Sequence, residues 1–183
     1  EPSDGPIGAL IRQMLSRRVV APDGKGGSEP VGGDVLALLF AADRLDHVDS
    51  EVAPNLEQGR CVVTDRYYHS SFAYQGDLKS DGSFDTSWVR RLNERARTPD
   101  LTIFLDASAE VCLERMRQRS RRDIYENRSE LESLEGRYRQ VLEELSAAGE
   151  AIERVDAEQP LEEVHEEIFA IVSEWLDEAN HPS

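Results

Sequence analysis

The sequence has few cysteines, few aromatic residues and no long apolar run. Only Cys61 and Cys112 occur among 183 residues, the first in an apolar strand pattern and the second in a helical pattern, so we expect two reduced core thiols and no disulfide. No apolar segment approaches the ~20 residues that span a bilayer, and no signal-peptide pattern opens the chain. With 39% hydrophobic residues the chain can still bury a core. These features predict a cytoplasmic protein with one domain over residues 1–183 and no membrane contact.

The charge is unbalanced, with 37 acidic and 21 basic residues and a net charge of −16. Such a balance argues against a surface that coats nucleic acid. Residues 123–183 contain 18 acidic and 4 basic residues, whereas residues 1–122 contain 19 and 17. We expect the acidity on solvated helix faces of the last third. The first two thirds can therefore hold a local positive site.

Three short apolar segments, each with Asp at or near its end, predict buried parallel strands at 60–65, 100–106 and 151–157. In the segments between and around these strands, apolar residues recur at helical spacing. The predicted helices are 7–18, 34–48, 84–97, a helix beginning at Ser108, 134–145 and 160–176. Helices that alternate with apolar strands indicate an α/β fold with a parallel sheet.

The stretch "TDRYYHSSFAYQG" follows the first predicted strand and places Asp65 and Arg66 at its carboxyl end. Ligands of open parallel sheets gather at that edge, and the guanidinium fork of Arg matches phosphate oxygens. If residues 67–75 are helical, Arg66, Ser70 and Tyr74 share one face. One interpretation is that these polar side chains line a binding site for a phosphorylated ligand that contains a sugar. A salt-bridged Asp-Arg pair that caps a helix is the other.

Two further groups allow both a functional and a structural interpretation. Phe40 and Arg44 lie four residues apart in "LLFAADRLDH" and could stack a base and bind its edge, or be a core Phe beside a surface Arg. Five arginines in "RMRQRSRRD" could clamp a transferring phosphoryl group, or form a solvated face. The four histidines have no metal-ligand spacing with cysteines or with one another.

Together these segments resemble the thymidylate kinase family, whose members phosphorylate dTMP with ATP and Mg²⁺. The resemblance is collinear over nearly the whole chain. It is carried by "EPSDGPIG", "LLFAADRLDHV", "DRYYHSSFAYQG", "PDLTIFLD", "CLERMRQRSRRD" and "VDAEQPLEEVHEEI".

The resemblance implies a role for each matching residue on the dTMP side. Phe40 would stack on thymine, and Arg44 would hydrogen-bond its edge. Arg66 would grip the acceptor phosphate, with Asp65 near the metal and the reacting oxygens. Polar and aromatic contacts to the nucleotide would come from Ser71, Tyr74 and Gln75.

On the ATP side the resemblance implies a lid over about 115–128. Its Arg115, Arg119 and Arg121 would reach the ATP phosphates or stack on adenine, and Arg119 and Arg121 are also the candidates for catalysis. Asp156 and Ala157 would line the adenine pocket. The implied fold is a three-layer P-loop kinase sheet flanked by helices, and the implied assembly is a homodimer through helices 7–18 and 34–48.

One departure from the family pattern is plain: no G-x-x-x-x-G-K-[ST] motif occurs in the 183 residues, although that loop cradles the donor phosphates. We therefore expect the chain to lack the first strands and the phosphate loop, and to be a poor kinase by itself. Two alternatives remain open. One is a catalytically dead homologue that binds nucleotide and regulates, and the other is a deoxynucleoside kinase with an unphosphorylated acceptor.

Overall fold

The computed structural model of the chain describes residues 1–78, 83–118 and 128–180. These residues cluster into two compact units, residues 1–97 and 98–183.

The first unit is largely helical. Its helices are α1 (Pro6–Leu15), α2 (Gly33–His47), α3 (Ala53–Glu57), α4 (Tyr68–Gln75) and α5 (Ser87–Asn93), and a π-helical turn at Val48–Val52 joins α2 to α3. Two antiparallel hairpins complete it: β1 (Ala21–Pro22) with β2 (Ser28–Glu29), and β3 (Asp77–Leu78) with β4 (Phe84–Asp85). Helix α2 contacts α1, α4 and α5, which makes it the central element of this unit.

One face of α2 shows why this helix lies in the core. Ala37 and Ala41 are buried four residues apart, on a single helix face. Arg44 falls on the same face and is 1% exposed. The helix therefore carries a charged residue into the interior of the unit, where the charge has to be paired.

The predicted strand 60–65 is wrong. Residues 60–64 have no strand assignment, Val63 is 91% exposed, and Cys61 is exposed and not a core thiol. An apolar segment becomes a strand only when a neighbouring strand pairs with its backbone groups. Among the described residues this segment has no such strand beside it.

The second unit contains the parallel pair that the sequence predicts. Strands β5 (Thr102–Asp106) and β6 (Ile152–Asp156) pair in parallel, from Thr102 with Ile152 to Asp106 with Asp156. Helices α6 (Ala109–Gln118), α7 (Arg128–Ala147) and α8 (Leu161–Asn180) accompany them. The core is lined by residues of α7, β6 and α8, among them Leu134, Val141, Leu142, Leu145, Val155 and Val164. The expected α/β class with a parallel sheet is confirmed.

Within the described residues we find no helix that is both long and apolar enough to cross a membrane.

Candidate functional site

Arg66 occupies an unusual backbone conformation just before α4. Its φ is +65°, in the left-handed region that costs a residue with a Cβ roughly 1–2 kcal/mol. The Thr64 hydroxyl donates to the Arg66 carbonyl oxygen at 2.9 Å and supports this turn. The guanidinium carbon of Arg66 lies 5.6 Å from the centre of the Tyr74 ring. Arg66 and Tyr67 precede α4, and Tyr67 is extended with φ −155°, so the turn before the helix, and not helical spacing, brings Arg66 to Tyr74.

The Asp65 side chain is exposed directly before this turn. Among the described residues, no group of three His, Cys, Asp or Glu side chains could hold a metal ion. Mg²⁺ commonly uses one or two carboxylates together with water and substrate phosphates. A single exposed carboxylate at Asp65 fits that mode of binding and does not fit an all-protein cage.

Arg44 is the centre of a buried polar cluster. Its Nε donates to Glu1 Oε1 at 2.9 Å, and its Nη2 donates to Glu1 Oε2 and to Ser71 Oγ, the latter at 3.1 Å. Its Nη1 donates to Asn93 Oδ1. The Tyr67 ring lies 5.2 Å from the guanidinium carbon. The tertiary structure therefore brings the predicted residues Arg44 and Ser71 into direct contact.

The Tyr67 hydroxyl is difficult to ionise. Burial raises the pKa of Tyr67 to about 12, although the nearby positive charge of Arg44 lowers it. A neutral phenol beside Arg44 leaves Glu1 as the anion that pairs with the guanidinium.

Phe40 and Gln75 have less defined surroundings. Phe40 is half-buried on α2. Gln75 is half-buried, and its Oε1 atom is buried without a hydrogen-bond partner among the described residues. A buried acceptor with no donor is costly, so a ligand group that donates to Gln75 would remove that cost.

The second unit brings together Arg115 and Ala157, both predicted on the ATP side. Arg115 Nη2 donates to the Ala157 carbonyl oxygen at 2.7 Å. Asp156 Oδ1 accepts from the Glu158 backbone N–H at 2.9 Å, which closes the turn after β6. Arg119 and Arg121 lie outside the described residues.

Glu158 holds this turn against the start of α6. Its Oε1 accepts from the Ser108 backbone N–H at 2.7 Å. Hydrogen bonds from Ser108 lower the pKa of the Glu158 carboxyl below its ordinary value. A carboxylate at a helix N-terminus satisfies N–H groups that have no partner within the helix.

Sequence reasoning missed several residues of the buried cluster. Glu1, Tyr67 and Asn93 contact Arg44. Asp43, which is fully buried, accepts from the Ser3 backbone N–H at 2.8 Å and from its hydroxyl at 2.6 Å. The one available signal was Arg44 itself, a cation on the apolar face of α2 that needs an anion nearby. No local pattern could identify Asn93, which is 49 residues away.

Comparisons with known proteins give a consistent result. A family model described as thymidylate kinase matches residues 1–168. A probable thymidylate kinase of Thermococcus kodakarensis is 34% identical over 181 residues, covering 97% of this chain and 82% of the relative. A probable thymidylate kinase of Pyrobaculum aerophilum is 37% identical over 172 residues, with 94% and 80% covered. A putative thymidylate kinase of Treponema pallidum is 35% identical over 181 residues, with 96% and 79% covered.

Proposed function

The chain belongs to the thymidylate kinase family, and we propose that it is an ATP-dependent transferase that phosphorylates dTMP to dTDP. In this reaction an oxygen of the dTMP phosphate forms a bond to the γ-phosphorus of ATP. The bond between that phosphorus and the bridging oxygen breaks, and ADP leaves. The observation that carries the proposal is the placement of Arg66, a strained cation held over Tyr74 beside the buried cluster of Arg44.

Arg66 is proposed to bind the acceptor phosphate. A left-handed residue with a side chain is retained at a cost, and such outliers concentrate at functional sites. The Tyr74 ring beneath the guanidinium limits the directions in which its fork can point. Charge-assisted hydrogen bonds from a fork held in this way would place the phosphate at one position.

We propose that five residues bind the nucleoside: Phe40, Arg44, Ser71, Tyr74 and Gln75. Among the described residues, four of the five N–H groups of Arg44 have hydrogen-bond partners, and the fifth could donate to the O4 carbonyl oxygen of thymine. Cytosine presents an amino group there, which cannot accept. Phe40 would stack on the base and Tyr74 would pack against the sugar. Ser71 and Gln75 would supply polar contacts.

The residues that we propose for binding ATP, the phosphoryl donor, come from residues 98–183. Arg115 of α6 donates to Ala157, which follows Asp156 in the turn after β6, and these residues would line the adenine pocket. Arg119 and Arg121 remain proposals for contacts with the transferring phosphoryl group. Mg²⁺, held by phosphates, water and Asp65, would supply neutralisation of the donor phosphates.

The chain's residues act by positioning and by charge, since phosphoryl transfer needs little covalent help from a protein. Arg66 would hold the acceptor in line, and Arg44 would fix the base so that the phosphate cannot move away. The sequence contains no G-x-x-x-x-G-K-[ST] motif. A coupled ADP-release assay with ATP and dTMP measures the transfer that this chain catalyses.

Two arginine-to-glycine variants test the acceptor site. Arg66 and Arg17 both have positive φ, +65° and +56°, so glycine should relieve strain of about 1 kcal/mol at either position. Arg66→Gly should weaken dTMP binding ~10–100-fold through loss of charge-assisted hydrogen bonds, although the protein becomes no less stable. Arg17→Gly, the matched control, should bind dTMP as the wild-type chain does. Calorimetric titration with dTMP and urea unfolding measure the two effects.

The same titration distinguishes the alternatives. If Arg66→Gly binds dTMP with wild-type affinity, the proposed phosphate site is wrong. If thymidine binds as tightly as dTMP and Arg66→Gly changes neither, the chain fits a deoxynucleoside kinase better.

A further inference from the structure

The burial of Arg44 sets a strict requirement on its surroundings. The side chain is 1% exposed, and a buried cation is costly unless it is paired and hydrogen-bonded. Glu1 meets part of this requirement by bonding Nε and Nη2, one edge of the guanidinium. The Nη1 end, opposite that edge, is held by Asn93 alone among the described residues.

Asn93 is well suited to hold the Nη1 end. It is the last residue of α5 and is 5% exposed. Its Nδ2 donates to the Val89 carbonyl oxygen at 2.7 Å, one helical turn earlier. Because this bond occupies the amide nitrogen, the amide oxygen is the atom that faces Arg44. The backbone of α5 thus fixes the direction from which Nη1 is held.

The guanidinium has five N–H groups in one plane. Four of them bond to Glu1, Ser71 and Asn93. The fifth is also on Nη1, the atom that Asn93 holds. Together with the contacts of Glu1, the contact with Asn93 therefore fixes the plane in which this fifth donor points.

We propose that Asn93 is a positioning residue that sets the plane of the Arg44 guanidinium, and with it the direction of the donor offered to the base carbonyl oxygen. Asn93 does not touch the substrate in this scheme; it acts through Arg44. The inference rests on the proposed function, and it assigns base selection to a contact between α2 and α5.

A matched pair of variants tests the proposal. Asn55 has the same local bonds as Asn93, because its Nδ2 donates to Glu51 O at 2.7 Å and its Oδ1 accepts from Arg60 at 2.8 Å. Asn93→Ala should weaken dTMP binding ~10-fold and lower the preference for dTMP over 2′-deoxycytidine monophosphate ~10-fold, the effect expected for one lost hydrogen bond to a charged group. Asn55→Ala should change neither quantity.

Asn93→Asp provides the conservative comparison, since it keeps an oxygen toward Nη1. It should retain a larger share of the base preference than Asn93→Ala. A purely structural role would lower stability in both variants and leave the ratio of the two affinities unchanged, which would overturn the proposal.

A measurement on the wild-type chain needs no variant. Proton–nitrogen NMR should show separate signals for the two hydrogens on Nη1 of Arg44, because the contact with Asn93 hinders rotation about the Cζ–Nη1 bond. Freely averaging Nη1 signals in the wild-type chain would overturn the proposal. If the wild-type chain does not bind dTMP, the proposed function fails together with this inference; if it binds dTMP and Asn93→Ala binds equally well, the inference fails alone.

Discussion

At the scale of single residues, the site depends on how a buried positive charge is accommodated. Arg44 is surrounded by Glu1, Ser71, Asn93 and the ring of Tyr67. Such a cluster is stable only when nearly every polar group in it has a partner. Removal of one partner costs more than the mean worth of a hydrogen bond, because the remaining group stays buried.

The raised pKa of Tyr67 gives a pH-dependent prediction. Its ordinary pKa is 10.0, and burial raises it to about 12 in the folded chain. Above pH 10 the unfolded chain loses this proton while the folded chain keeps it, so the free energy of unfolding should fall as the pH rises from 10 toward 12. Tyr67→Phe should remove this part of the fall, and urea unfolding at several pH values in both proteins measures it. An identical pH profile for the two proteins would contradict the assignment.

At the scale of elements, the segment before α1 is fastened to both α1 and α2. Arg12 Nη1 donates to the Ser3 carbonyl oxygen at 2.5 Å, and Asp43 accepts from Ser3 at 2.6 and 2.8 Å. Gly8 of α1 is buried where this segment passes. Close approach of the segment therefore requires a helix position with no side chain.

Two glycine-to-alanine changes measure this requirement. A Cβ on Gly8 would overlap the backbone of Ser3, whereas one on Gly136 of α7 would meet nothing within 4 Å. Gly8→Ala should destabilise the chain by about 1–3 kcal/mol through overpacking. Gly136→Ala should stabilise it by about 0.5–1 kcal/mol through helix propensity. Denaturant unfolding compares the two, and equal effects would show that the segment does not press on α1.

At the scale of the whole molecule, four large apolar residues are exposed on the first two helices. Leu10 and Leu15 of α1 are 36% and 55% exposed, and Val35 and Leu38 of α2 are 48% and 51% exposed. Contiguous exposed apolar residues often mark an interface. They are consistent with the homodimer through α1 and α2 that the family resemblance implies.

A charge introduced on α2 tests this association. Leu38→Lys should give a particle near the monomer mass of 20.6 kDa, whereas the wild-type chain should have twice that mass, because a buried unpaired cation opposes association. Leu161→Lys on α8, where the leucine is 78% exposed, is the control and should leave the mass unchanged. Light scattering during gel filtration measures each mass. A wild-type chain that elutes as a monomer would contradict the proposal.

The sequence by itself determined what depends on local spacing. The period of apolar residues predicted the helices α1, α2, α5, α6, α7 and α8 and the strands β5 and β6. It did not predict α3, and the predicted helix 84–97 begins as the strand β4 (Phe84–Asp85). Ordered motifs over nearly the whole chain identified the family. Only the tertiary structure decided the partners of Arg44, because Ser71 and Asn93 are 27 and 49 residues away and reach it through helix packing. It also decided that residues 60–64 form no strand, since strand formation depends on a neighbouring backbone and not on apolar composition alone.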